Sequence, residues 1–465
     1  YILYLAARME ESQICSRAVP GQTKPCRETR DGGSQSDSRT RGPGPRLSKV
    51  NLFTLLSLWM ELFPQEEAEE DDNDQVRRVG LVVVQDTKVV GLHCSGAELH
   101  AGQTAIIQHG ARLADCQLFF SRRPCATCLK MIINAGVGRI SFWPGDPEIS
   151  MLKPASTNHS NSSSSPQSIT EEAALDAMAT EKLKSNSRPH ICVLLQPLAP
   201  GLAQFVTETS RDCDFMQTMA DDDPTLNTEE LFNRHLKDFS RHFLVGSSQQ
   251  HQEILTQMGL ENFSMEPYFS NLRNNMRELV EVLATVAAGV PRQHYGFYRL
   301  DTLAVNYLND LKRASSFACY FADEDPKVGV GAVIWAKGQL AGCDGTGCLY
   351  LVGCGYNAYP AGSQYAEYPQ MDNKQEDRQR RKYRYIIHAE QNALTFRTRD
   401  IKPEESTMLF VTKCPCDECI PLIRGAGITH IYTSDQDMGK DKTDISYLRF
   451  SSLKNIHKFI VSSED

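Results

Sequence analysis

His388-x-Glu390 and Pro415-Cys416-x-x-Cys419 carry the residue types that could hold a hydrolytic metal centre. Zinc takes imidazole nitrogen and thiolate sulfur, and a catalytic zinc keeps three protein ligands and one position for water. His388, Cys416 and Cys419 make three. A Cys-x-x-Cys pair at a helix start lies near unpaired amides and the positive dipole end, which favours the thiolate ligand form. Pro415 suits that start. Glu390 would be the proton carrier for a metal-activated water. His388 and Glu390 are two apart and would diverge in mid-helix, so both reach one centre only if His388 opens its helix. The aromatic run Tyr383–Ile387 reads as the loop or strand leading in. A Cys-x-x-Cys pair alone also suits a structural zinc site with a fourth ligand, for which Cys414 is the nearest spare.

The same letters occur earlier in the chain. His100-Ala-Gly-Gln-Thr-Ala-Ile parallels His388-Ala-Glu-Gln-Asn-Ala-Leu, and Pro124-Cys-Ala-Thr-Cys parallels Pro415-Cys-Asp-Glu-Cys. Asn134-Ala-Gly-Val parallels Gly425-Ala-Gly-Ile, and the three offsets of 288, 291 and 291 describe an internal duplication. The first copy keeps His100, Cys125 and Cys128 as a second candidate metal site, but has Gly102 where the second has Glu390. Loss of general acid–base catalysis costs about 10²–10⁴-fold. A non-catalytic copy that still binds zinc for stability is therefore expected. Glu98 could substitute only if the helix start did not point it elsewhere.

Alternating strand and helix patterns surround both motif sets. In the first copy, Val79–Val84 and Val89–Leu92 predict a hairpin across a Gln85–Lys88 turn. His100–Arg112 reads as helix, Cys116–Phe120 as strand, Cys125–Ala135 as a helix ended by Gly136, and Arg139–Trp143 as strand. Glu171–Lys184 reads as helix and Ile191–Gln196 as strand. In the second copy, Asp301–Phe321 reads as helix, and Val328–Trp335 and Tyr350–Tyr356 as strands. His388–Thr395 is read as helix, Met408–Val411 as strand, Cys416–Gly425 as helix and His430–Thr433 as strand. Such alternation means α/β layers around a central sheet. Four segments follow: a disordered tail with a leucine-rich stretch (1–75), the first copy (76–200), a helical connector (201–294) and the second copy (295–465). The acidic run Gln65–Asp74 reads as a solvated linker, and Asn158–Ser165 as a polar loop.

The combined motifs resemble the cytidine/dCMP deaminase superfamily, whose zinc enzymes use this His-x-Glu and Pro-Cys-x-x-Cys set on nucleobases. The second copy is similar to the dCMP-type branch through Val328-Gly-Val-Gly-Ala-Val-Ile, Gly353-Cys-Gly-Tyr-Asn357 and Lys382-Tyr-Arg-Tyr-Ile-Ile-His388. The resemblance implies tandem three-layer α/β/α domains, each with a mixed five-stranded central sheet. It also implies Zn2+ as cofactor, Glu390 as catalytic residue and a homo-oligomer with sites near subunit interfaces. Asn357 would contact the sugar and the Ala389 backbone the base. The Ser434–Asp444 loop departs from the branch, leaving the base-stacking residue without a match. The cationic run Arg378, Arg380, Arg381, Lys382, Arg384 suits substrate phosphates, since guanidinium forks match phosphate oxygens. A solvated face or subunit contact is the plainer reading of that run, as a turn residue is of Asn357. Exposed, the run could also act as a nuclear-localisation signal.

The implied activity is zinc-dependent hydrolytic deamination of cytosine to uracil in free cytidine, deoxycytidine or their nucleotides, such as dCMP and dCTP. Two alternatives stand beside it: an RNA- or DNA-editing deaminase, and a zinc scaffold without activity. The 465 residues carry a net charge of −9 and 8% aromatic residues, against the basic track and stacking platforms a polynucleotide needs. The chain shows no apolar run of about 20 residues, so no membrane span is expected. It begins with Tyr1, so its true start is expected to be missing from, or misplaced in, this sequence. Fifteen cysteines, an odd number, without a secretory signal point to a reducing compartment, with the asparagine sequons at Asn158, Asn161 and Asn262 unused. Leu52, Leu55, Leu58 and Met60 or Leu62 are spaced like a nuclear export signal, or like a helix packing on the fold. An export receptor and cytoplasmic-to-nuclear shuttling are thus expectations. His294, Cys343, Cys348 and Cys354 form no ligand set.

Overall fold

Both runs of strand-forming residues build the same sheet. The computed structural model describes residues 45, 47–62, 78–96, 98–148, 166–211, 228–288, 329–337, 349–363, 382–403, 405–442 and 445–461. The tail before residue 45, Gln65–Asp74, Asn158–Ser165, the expected helix Asp301–Phe321, His294, Cys343, Cys348, Arg378, Arg380 and Arg381 lie outside them. The chain divides into two compact units. One comprises Tyr1–Leu56, Leu195–Leu244 and Ser270–Tyr295, and the other Ser57–Leu194, Val245–Phe269 and Gly296–Asp465. The second unit holds both motif sets.

The leucine-rich stretch forms α1 (Lys49–Glu61), with Leu55, Leu56, Leu58 and Met60 buried. The hairpin follows as β1 (Gly80–Gln85) and β2 (Lys88–Cys94), turning at Asp86 and Thr87, both with positive φ. Next come α2 (Ala101–His109), β3 (Gln117–Phe120), α3 (Ala126–Asn134), β4 (Arg139–Phe142), α4 (Pro166–Asn186) and β5 (His190–Cys192). The sheet order is β2-β1-β3-β4-β5: the hairpin side is antiparallel, and β3, β4 and β5 run parallel. β5 stops at Cys192, short of the expected Gln196, whose backbone instead exchanges two hydrogen bonds with the Asn51 side-chain amide (2.8 and 3.1 Å).

The second copy gives β6 (Gly331–Lys337), β7 (Leu349–Tyr356), α5 (Ala389–Thr395), β8 (Ser406–Val411), α6 (Cys419–Gly425) and β9 (His430–Ser434). A small hairpin, β10 (Asp441–Lys442) and β11 (Ile445–Ser446), precedes the last strand, β12 (His457–Val461). The order β7-β6-β8-β9-β12 repeats the first sheet, antiparallel at β6 and then parallel. Even the irregularity is shared: the register shifts between Val83 and Val84 in one hairpin and between Ile334 and Trp335 in the other. A bulge at the same place in both sheets fits a duplicated design. The molecule is α/β, as the strand–helix alternation led us to expect, with two mixed five-stranded sheets flanked by helices, as the family resemblance implied.

The helix α6 begins at Cys419, not at Cys416 as the pattern suggested. Cys416 sits one turn earlier, its carbonyl accepting hydrogen bonds from the amides of Cys419 (3.0 Å) and Ile420 (3.2 Å). Pro421 falls in the first turn of α6, where its missing N–H costs no helical bond.

α5 lies on β7 because β7 presents glycine to it. A Cβ on Gly355 would collide with the Ala389 carbonyl and stand 2.5 Å from the Ala393 nitrogen and 2.7 Å from the Asn392 Cβ. A Cβ on Gly353 would meet the Ala393 carbonyl. A strand otherwise prefers a side chain over glycine by about 0.5–1 kcal/mol. Overpacking outweighs this, so Gly355→Val is expected to destabilise the fold by about 1–3 kcal/mol. Equilibrium urea unfolding measures the change, and a neutral or stabilising result would remove the close-packing argument.

Two candidate metal centres

In the second copy, His388 is the N-cap of α5, in extended conformation (φ −77, ψ 155). This is the arrangement that lets His388 and Glu390 serve one centre. The His388 amide donates to Gln391 Oε1 (2.9 Å), which fixes the turn. His388 Nδ1 lies 3.2 Å from Cys416 Sγ and 3.3 Å from Cys419 Sγ. A zinc tetrahedron with bonds near 2.0 and 2.3 Å has N–S edges of about 3.6 Å, so the three donors nearly enclose such an ion. Burial disfavours protonating His388, yet the negative Cys416 and Glu418 lift it to about 8. The hydrogen bond from Cys419 and the facing His388 hold the Cys416 thiol well below its ordinary value, against burial. Burial and the neighbouring Cys416 push the Cys419 thiol well above its ordinary value, and a divalent cation would draw both sulfurs into the thiolate form. The residues fit zinc.

Glu390 is buried beside the same donors. Burial, with the negative Cys416 sulfur, raises its carboxyl to about 7, while a hydrogen bond with Cys419 acts the other way. Cys414 is buried but stands outside the group; burial and the charges of Cys416 and Glu390 push its thiol up to about 12. Asn357 follows β7 and bonds the residue before β6: its Oδ1 accepts from the Val330 amide at 2.6 Å and its own amide donates to the Val330 carbonyl at 3.1 Å. Ala389 is buried as the first residue of α5. Arg384 ends the 3-10 turn Lys382–Arg384, near enough to buried Asp176 to act on that carboxyl.

The first copy braces this centre. Lys130 Nζ, 1% exposed, meets Glu418 Oε1 at 2.6 Å, and Gln391 Nε2 donates to the same oxygen at 2.6 Å. Glu418 stands between Cys416 and Cys419, so the brace reaches the ligand loop itself. Asn134 Nδ2 donates to Asn392 Oδ1 (2.6 Å), and Arg397 donates to the carbonyls of Ile106 (3.1 Å) and Ile107. Glu98 pairs with Arg424 and so faces away from the first centre.

His100 repeats the geometry of His388 as N-cap of α2 (φ −72, ψ 153), with Gln103 Oε1 accepting its amide at 3.0 Å. His100 Nδ1 is 3.3 Å from Cys125 Sγ and 3.4 Å from Cys128 Sγ. A Cβ on Gly102 would stand 3.0 Å from Cys128 Cβ, 3.1 Å from Ile132 Cδ1 and 3.2 Å from Cys128 Sγ, so a side chain there would have to shift these neighbours by a few tenths of an ångström. The structure adds a residue that the motif reading missed: Glu148, buried, with Oε1 at 3.1 Å from His100 Nδ1. Burial opposes the charge, but Glu148 and Cys125 raise His100 well above its ordinary value. Glu148 lies 20 positions beyond Cys128, after β4, and no ligand spacing marks it.

Among the described residues, no helix is long and apolar enough to cross a membrane. The sequence matches the cytidine and deoxycytidylate deaminase zinc-binding region over residues 55–143 and 308–434. It is 56% identical to cytidine and dCMP deaminase domain-containing protein 1 of Danio rerio, over 96% of each chain. It is 34% identical to the deoxycytidylate deaminase of Homo sapiens, over 22% of this chain and 56% of that one. An uncharacterised deaminase of Aliivibrio fischeri is 32% identical over 24% of this chain and 63% of its own. Two metal-donor groups on duplicated sheets, and a relative matched almost end to end, place the chain in the cytidine and deoxycytidylate deaminase family.

Proposed function

We propose that the second copy hydrolyses the amino group of free cytosine nucleosides or nucleotides, cytidine, deoxycytidine, dCMP or dCTP among them, giving the uracil product and ammonia. One observation carries this: Glu390, buried with a carboxyl near 7, shares its pocket with His388, Cys416 and Cys419. Zinc held by those three would supply a Lewis acid that makes water a nucleophile at neutral pH. Glu390 takes the proton of the water, delivers a proton to N3 of the base and then assists the departing amine. The buried pocket around Glu390 keeps bulk solvent from exchanging those protons. A cation bound to the cysteines would lower the Glu390 pKa, which favours its starting role as base.

Nucleotides are favoured over polynucleotides by the acidic balance of the chain and by the human deoxycytidylate deaminase among its relatives. The first copy, with Gly102 packed against Cys128, lacks at that position the carboxylate that the reaction needs. It acts as a brace and not as a second enzyme.

The test is deamination of cytidine, deoxycytidine, CMP, dCMP, CTP and dCTP, with a cytosine-containing oligonucleotide beside them. Turnover of one or more monomers supports the proposal, and turnover of the oligonucleotide alone overturns it. Glu390→Gln is expected to lose about 10²–10⁴-fold or more in kcat while retaining its zinc. Gly102 is intact in that variant, so appreciable residual activity would mean that the first copy works.

The brace makes a separate expectation. Lys130→Met leaves the half-buried Glu418 carboxylate without its cation and is expected to cost about 1–3 kcal/mol. Adding Glu418→Gln removes the stranded charge and restores most of that stability. Equal losses in the single and double variants, read by thermal unfolding, would show that the pair is unimportant.

A further inference from the structure

We propose that Glu148 is the fourth protein ligand of a closed metal centre in the first copy, completing His100, Cys125 and Cys128, so that the ion there has no position for water or substrate. The inference rests on the reading of these clusters as zinc sites. It concerns a residue that the deaminase motif does not contain.

The geometry turns on one atom. A metal-bound histidine commonly offers its other ring nitrogen to a carboxylate, which then acts from behind the ring. Glu148 instead meets Nδ1, the same nitrogen that faces both thiols, at 3.1 Å against 3.3 and 3.4 Å for the sulfurs. The four donor atoms lie within 4.8 Å of one another. Glu148 therefore stands on the metal side of His100. Its second oxygen, Oε2, is satisfied by the Cys125 amide at 2.9 Å, leaving Oε1 for the ion. His100 and Glu148 are each 5% exposed and both cysteines 0%, which excludes bulk water.

The backbone holds Glu148 in this place. Its amide donates to the Arg123 carbonyl (2.9 Å), and Trp143 N donates to Phe120 O (3.0 Å), tying the segment after β4 to the loop before α3. Asp176 accepts from the Ala126 amide (2.8 Å) and pairs with Arg123 (3.4 Å), fixing that loop from the other side.

The second copy has the reverse pattern. At the offset of 291 that relates the cysteines and the starts of β4 and β9, Glu148 corresponds to Gly439. At the offset of 288, Gly102 corresponds to Glu390. Each copy thus has one glutamate for its centre: Glu390 from the helix beside the donors, or Glu148 among them. Among the described residues, no carboxylate joins the group of His388, Cys416 and Cys419. Three ligands leave a place for water, and four close it.

Two measurements on the full-length chain test this. The first uses the unsubstituted protein, dialysed against a chelator, with zinc counted by mass spectrometry. About two zinc ions per chain are expected at the start, and about one retained after the open centre empties. Loss of both at the same rate, or only one present initially, overturns the proposal. The second uses Cys416→Ser/Cys419→Ser protein loaded with cobalt(II), so that absorption reports the first centre alone. Azide should leave that spectrum unchanged, because no coordination position is free. Adding Glu148→Gln preserves an oxygen for the Cys125 amide but removes the anionic ligand. It should weaken the metal by more than the roughly 10–100-fold that loss of an outer partner costs, and make the spectrum respond to azide. A response already present before that substitution, or none after it, overturns the assignment. Absence of monomer deamination would count against the proposed function and leave these spectra unaffected.

Discussion

Lys130 has its ammonium group taken out of water, and Glu418 is its ion-pair partner. A buried charge is costly when alone, and even when paired it gains little over a hydrophobic contact. What such a pair does well is fix position, because any displacement strands both charges. Here the positions at stake are those of a ligand loop. Glu418 is flanked by Cys416 and Cys419 and also receives Gln391, whose own carbonyl oxygen holds the amide of His388. A displacement of Lys130 would therefore act on all three donors of the second centre. The first copy has become part of the scaffold of the second.

This dependence gives a physical reason to keep a copy that has Gly102 in the place of Glu390. Its helices supply Lys130, Asn134 and the carbonyls that Arg397 caps, and they must stay in register to do so. A metal at His100, Cys125, Cys128 and Glu148 would tie the N-termini of α2 and α3 to the segment after β4. In that arrangement one centre would serve rigidity and the other chemistry. Each is built on its own sheet of the same order, with an N-cap histidine and a glutamine three residues later.

Much of this was legible in the letters. The duplication, the donors and the missing carboxylate at Gly102 follow from spacing, because a strand–turn–helix unit places its first-turn residues in a set way. The strands were legible because β1 and β6 are both nearly continuous apolar runs; the structure buries β1 on both faces but β6 only at alternate residues. Helix starts were less so: Cys416 falls in a turn before α6, since local hydrogen bonds and not composition decide where the helix begins. The leucine spacing in α1 suited two readings, and its burial is a matter of what the rest of the chain places against it.

The sequence by itself determined which residues could ligate a metal and which copy carries an acid–base group, because those are properties of side-chain type at short range. Only the tertiary structure decided that Glu148 joins His100 and that Lys130 reaches Glu418. The first pair is separated by 48 positions, across two helices and two strands, and the second by 288 positions, and no local periodicity relates such residues. Their meeting is set by how β4 runs beside β3 and how the helices of one copy pack on those of the other.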